Sequence, residues 1–204
     1  MRRLTILIDN GHGCNTKGKR SPQGGRLLEW QYTRDIADRI LRDVCRNMEN
    51  VTAVLVVPEQ TDVPLRERAR RVNEYIAKHS DELCVFYSIH GNAAGDGKEW
   101  KSARGWECFT TRGQNNSDLL ATLLYEEIEK CLPDCRLRKD LADGDDDKEA
   151  DFTVIKLANC PAVLSENLFY DNRKDFALML SDDVKDRIAK AHIAAAVRYW
   201  EQKQ

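Results

Sequence analysis

Four residues have types and flanks suited to hydrolytic chemistry. His12 lies in Asp9-Asn10-Gly11-His12-Gly13, directly after the apolar run Leu4-Thr5-Ile6-Leu7-Ile8. His90 lies in Ser88-Ile89-His90-Gly91-Asn92, after a second apolar run that starts at Leu83. Glu29 opens a helical pattern just after a Gly-rich loop, and Glu166 is flanked by Ala162-Val163-Leu164 and Leu168-Phe169. Two imidazoles and one carboxylate suit a catalytic zinc ion, because three protein ligands leave a fourth position for water. Such an ion lowers the pKa of that water and polarises a carbonyl. A second, unligated carboxylate is then needed to take a proton and return it. The expectation is therefore one Zn2+ per chain on His12, Glu29 and His90, with Glu166 as the catalytic residue. Each of the four also has a plainer reading. A lone His is usually a satisfied polar side chain. Glu29 could be a first-turn acid favoured by the helix dipole, and Glu166 a buried carboxylate paired with an Arg. His79 and His192 fall inside helical stretches and receive no role.

These residues need strands and helices to position them. Leu4–Ile8, 51–57 and 83–89 read as strands, the last two as buried ones, with 105–110, 152–157 and 161–164 as further strand material. In this reading His12, His90 and Glu166 each follow a strand, where sites gather in open α/β sheets. Helical spacing covers about 28–48 through Tyr32, Ile36, Ile40, Leu41 and Val44. A second helix opens at Pro64, a third covers 118–132, and a last runs over about 182–202. Strands alternate with helices, which predicts an α/β fold: a single-domain mixed, mostly parallel twisted sheet with helices on both faces. Residues 1–204 read as one catalytic domain, with no linker that would divide it. The stretch 137–151 is polar and acidic, and its run from Asp143 to Asp151 reads as a solvated loop, with binding a cation or repelling anionic polymers as the alternatives. Arg66, Arg68, Arg70 and Arg71 likewise read as a solvated helix face.

Composition narrows the partners. A net charge of −2 on 204 residues gives no broad basic surface, so nucleic acid is not expected. No stretch approaches the roughly 20 apolar residues of a membrane span. Met1-Arg2-Arg3 and the run after it imitate a signal peptide, but the run is short, ends in a charge and lacks a small-residue cleavage site. It reads as the first strand. The seven cysteines are odd in number and irregular in spacing, which argues against a disulfide framework and fits a reducing compartment.

The motifs together resemble the zinc-dependent N-acetylmuramoyl-L-alanine amidases of the branch called amidase type 3. Ile8-Asp9-Asn10-Gly11-His12-Gly13 is similar to that family's Asp-Pro-Gly-His-Gly segment, with Asn10 where proline is frequent. Gly25-Arg26-Leu27-Leu28-Glu29 looks like its glutamate-ligand segment. Leu65-Arg66-Glu67-Arg68 with Asn73 resembles its Leu-x-x-Arg…Asn helix. Ser88-Ile89-His90-Gly91-Asn92-Ala93 resembles the segment of the second histidine, and Pro161 to Glu166 with Phe169 and Asn172 resembles that of the catalytic glutamate. Each motif alone is weak; five in order, over nearly the whole chain, are specific.

The resemblance implies hydrolysis of the amide between N-acetylmuramic acid and L-alanine, with peptidoglycan or muropeptides as substrate. It implies action on the cell wall, in a periplasmic or extracellular setting. With no signal visible, the chain is expected to be released as a lysin through a separate pore, or to follow a removed signal. Nothing in the sequence specifies an activator protein. Two rivals stand beside this reading. One is another zinc peptidase or deacylase of α/β fold, with Asp9 helping to hold a second metal. The other is a catalytically inactive wall-binding protein. A phosphate-cradling loop at Asp9–Gly13 lacks the Gly-Lys-Ser/Thr signature.

Overall fold

Central strands buried on both faces and helices buried along one stripe build one sheet with a helical layer on each face. The computed structural model describes residues 2–22, 27–142 and 144–204. Six strands are present among the described residues: β1 Leu4–Asn10, β2 Val51–Leu55, β3 Leu83–Asn92, β4 Trp106–Thr110, β5 Lys148–Glu149 and β6 Ala162–Phe169. Their order across the sheet is β2-β1-β3-β6-β4-β5. β2, β1, β3 and β6 run parallel, while β4 is antiparallel to β6 and parallel to β5.

Six helices follow the same chain order: α1 Glu29–Asn47, α2 Leu65–Lys78, α3 Asn116–Cys131, α4 Thr153–Lys156, α5 Arg173–Met179 and α6 Asp182–Gln202. Alternate residues of each central strand face opposite layers. Ile6 and Ile8 of β1, Val85 and Tyr87 of β3 and Val163 of β6 meet Ile36 and Ile40 of α1, Leu124 of α3 and Ile188 of α6. Leu7, Phe86 and Leu164 face the other way, toward Val72 of α2 and Val154 and Ile155 of α4. No described helix is long and apolar enough to cross a membrane.

The expected α/β architecture is the observed one, with several local corrections. Residues 152–157 are not strand material: Thr153–Lys156 is helical, and Val154 and Ile155 bury against α2. β2 is an edge strand, mostly half-buried, because only β1 pairs with it. β3 and β6 extend beyond their apolar runs, so His90 and Glu166 sit within strands rather than after them. All seven cysteines are free thiols.

Candidate metal and catalytic site

β1, β3 and β6 are neighbours in the sheet, and their carboxyl ends place three of the four expected residues side by side. His12 lies two residues beyond β1, and His90 pairs in register with Glu166 across β3 and β6. The fourth, Glu29, begins α1, whose position is fixed one turn along. There the Thr33 hydroxyl donates to the Gly11 carbonyl at 3.1 Å and the Tyr32 hydroxyl to the Asn167 carbonyl at 3.0 Å. The segment Gly25-Arg26 just before this helix lies outside the described residues.

Glu29 Oε1 is the hub. It stands 3.2 Å from His12 Nε2, 3.2 Å from His90 Nδ1 and 3.2 Å from the backbone N–H of Gly91, which donates to it. One donor atom from each of His12, Glu29 and His90 lies within 4.8 Å of the other two. The carboxylate is 1% exposed and the imidazoles 19% and 14%, so the cluster is closed behind Glu29 and opens to solvent on the histidine side. Burial works to raise the Glu29 pKa, but the hydrogen bonds to His12 and His90 outweigh it and bring it down to about 2. Burial also works against a charge on His90. The bond to Glu29, with the charges of Glu166, Glu29 and Asp9, nevertheless lifts its pKa above the usual histidine value. The same field favours a cation. Glu29 Oε2 is buried without a hydrogen-bond partner among the described residues, with Lys19 Nζ 4.0 Å away, and so remains an available acceptor beside two imidazoles. This donor set fits a metal ion with three protein ligands and an open side.

The backbone around His12 is under constraint. His12 has φ +64°, a left-handed conformation that costs a non-glycine residue roughly 1–2 kcal/mol. Its carbonyl oxygen accepts from Arg34 Nη2 at 3.2 Å and Arg68 Nη2 at 3.4 Å, which holds the turn. Gly11 is required for a different reason: a Cβ there would stand 2.3 Å from Cε1 of the His90 ring. Asn10, where the resembled family often has proline, keeps its side-chain Oδ1 buried and unpartnered.

Glu166 is half-buried, and its Oε2 is buried without a partner. Burial pushes its pKa up to about 8, against the lowering influence of His90 and with Glu29 and Glu107 adding to the rise. Glu107 faces it in register across β4. Burial would raise Glu107 too, but Lys148 at 2.5 Å and Arg138 at 2.8 Å hold it below the usual carboxylate range. Two carboxylates in neighbouring strands are thus driven apart, one kept as an anion and one poised near neutrality. A register shift between His90 and Asn92, with Leu168 at φ +73°, marks an irregularity where β3 meets β6. Asn167 spans it, donating to the His90 carbonyl at 3.1 Å and accepting from Trp106 Nε1 at 2.8 Å.

Arg68 is the residue that sequence reasoning misplaced. It is 1% exposed, not on a solvated face. It pairs with Asp9, bonds Asp62 at 2.7 Å, and donates from Nε to the Val63 carbonyl at 2.7 Å. Asp9 also accepts from the Ser88 hydroxyl at 2.7 Å. Both of its oxygens are therefore engaged, which removes the ligand that a second metal beside His12 would need. The alternation of Arg and Glu along α2 hid this, since only the partner's location tells a buried Arg from an exposed one. Next to Arg68 is a cavity of about 270 Å³ lined by Asp9, His12, Asp62, Val63, Arg68 and His90.

The family model for N-acetylmuramoyl-L-alanine amidase matches residues 6–198. The chain is similar to an endolysin of Bacillus phage SPP1, 30% identical over 190 residues covering 92% of this chain and 62% of that protein. It is also similar to the N-acetylmuramoyl-L-alanine amidase CwlM of Bacillus licheniformis, 29% identical over 196 residues covering 96% of this chain and 68% of that protein. The chain thus spans about two thirds or less of these relatives' lengths. Among solved structures, an N-acetylmuramoyl-L-alanine amidase from Clostridium difficile 630 superposes with a TM-score of 0.84 at 24% identity, covering 100% of both chains.

Proposed function

The chain belongs to the N-acetylmuramoyl-L-alanine amidase family, and from that membership we propose that it hydrolyses the amide joining N-acetylmuramic acid to the L-alanine of the stem peptide. The carrying observation is the cluster itself. His12, Glu29 and His90 converge on one point at the carboxyl ends of the strands, with the unligated Glu166 beside them. His12, Glu29 and His90 would hold one Zn2+ through two nitrogens and one carboxylate oxygen. When bound, zinc supplies Lewis acidity toward a water molecule and toward the scissile carbonyl. Glu166 takes the proton from the attacking water and gives it to the leaving amine. As a carboxylate left off the metal, it can accept a proton as the anion and donate it once protonated. Arg34 and Arg68 keep the His12 turn in place, and the open side of the imidazoles admits a bulky glycopeptide.

The substrate is peptidoglycan or its fragments, and the site of action is the cell wall. The whole of residues 1–204 acts as one catalytic domain. A two-metal peptidase is disfavoured because Arg68 and Ser88 occupy Asp9. A wall-binding protein without activity would have no use for a partnerless, half-buried Glu166. Digestion of purified sacculi tests the proposal. Mass analysis should find free stem peptides beginning with L-alanine, while cut glycan or cut cross-links would overturn it.

A further inference from the structure

The acidic segment before β5 is exposed over 139–142 and at 144, as its composition predicts, but departs from a solvated loop at its end. Asp147 is 1% exposed, and the described part of the segment folds back onto β4 and the start of α3. There Asp118, third residue of α3, meets Asp145 and Asp147, with one carboxylate oxygen of each within 4.8 Å of the others. Some of their oxygens are satisfied. The Thr110 hydroxyl donates to Asp147 Oδ2 at 2.6 Å, Gln114 Nε2 to Asp145 Oδ2 at 3.0 Å, and the Asn115 backbone N–H to Asp118 Oδ2 at 2.5 Å. Asp147 Oδ1 and Asp145 Oδ1 are buried and have no hydrogen-bond partner among the described residues.

No lysine, arginine or histidine nitrogen lies within ion-pair distance of these three among the described residues. The flanking lysines are engaged elsewhere, Lys139 with Asp146 and Lys148 with Glu107. Buried like charges without a counter-charge are costly. The cost is visible at Asp147, whose carboxyl is pushed up to about 7 by burial first and by Asp145 beside it.

We propose that Asp118, Asp145 and Asp147 form a second metal site, separate from the histidine cluster, that takes one calcium ion. All three donors are hard carboxylate oxygens, which select calcium, magnesium or manganese over zinc. Their spread is no more than twice a calcium–oxygen bond of about 2.4 Å, and two of the oxygens already lack partners. Calcium is preferred over magnesium because the ligands come from a loop and a helix start, a flexible set that tolerates irregular coordination completed by water. The ion would tie the segment before β5 to the N-terminus of α3 and neutralise the three acids.

The test is calorimetric titration of calcium chloride into the zinc-loaded protein, with thermal melts alongside. One calcium per chain should bind, and at a hundredfold excess over Kd the Tm should rise by roughly 5–10 °C. Asp145→Asn and Asp147→Asn should each weaken binding at least tenfold, while His12→Ala should bind calcium as the parent does. The proposal is overturned by an absent response up to about 10 mM calcium, well above the weakest loop sites. It is equally overturned by unchanged binding in Asp145→Asn, by loss of binding in His12→Ala, or by binding of magnesium with none of calcium. If Asp147→Asn instead stabilises a protein that ignores calcium, a shared proton occupies the cluster.

Discussion

Replacing Arg68 with leucine isolates the largest electrostatic commitment near the site. The change keeps an apolar side chain in the space but strands Asp9, which is 1% exposed and retains only the Ser88 hydroxyl. Breaking a buried pair by removing one partner costs about 3–5 kcal/mol, because an uncompensated charge is left behind. Asp62 contributes little to this sum, being 39% exposed and free to turn to water. For a chain of this length the loss corresponds to a Tm lower by roughly 6–20 °C. Equilibrium urea unfolding followed by circular dichroism gives the number directly. The double variant Asp9→Asn/Arg68→Leu adds the diagnostic. If the stranded charge carries the cost, the neutral asparagine recovers part of it, since its amide still pairs with Ser88. A loss below about 1 kcal/mol in Arg68→Leu, the worth of an exposed pair, would refute the reasoning. So would a double variant no more stable than the single, which would move the cost to the lost bonds with the Val63, Asn10 and His12 carbonyls.

Three further outcomes are expected. Metal analysis of the purified protein should give zinc near one per chain at the histidine cluster, lost in both His12→Ala and His90→Ala; full retention in both variants would remove the ligand assignment. Glu166→Gln should keep its zinc while kcat falls about 10²- to 10⁴-fold, and unchanged turnover on sacculi fragments would refute its role. His192 is fully buried, its Nδ1–H donates to the Ile188 carbonyl at 2.8 Å while Nε2 accepts from the Ser165 hydroxyl at 2.9 Å, and burial lowers its pKa to about 4. The unfolded chain therefore binds a proton that the folded chain refuses between about pH 6.5 and 4. Its neutral form lets stability stand in full above pH 6.5, and about 3 kcal/mol is lost as the pH falls to 4. Urea midpoints across that range should drop less steeply in His192→Gln, and parallel curves would contradict the assignment.

The sequence determined the layer architecture, because continuous apolar runs alternating with apolar stripes of period 3.6 leave few ways to stack strands and helices. Leu4, Ile6 and Ile8 state one face of β1, and Ile36, Ile40 and Val44 state the buried stripe of α1. It also marked His12 and His90, since a histidine beside glycine after an apolar run is conspicuous along the chain, while Glu29 and Glu166 stood out through the motifs that resemble the amidase family. What it could not state was pairing between distant residues. Arg68 and its neighbour Arg70 look alike in sequence, yet one is 1% exposed and bound to Asp9, and the other is 55% exposed among Glu67 and Glu74. The acidic run before β5 looked solvated until Asp147 was found under Thr110 and beside Asp118. Residues 152–157 had strand-like composition but became a helical turn because α2 offered them a surface. Local pattern records what a side chain prefers; the energy of a charge depends on which opposite charge the fold brings within a few ångströms, and that is decided only when β1, β3, β6 and α1 converge.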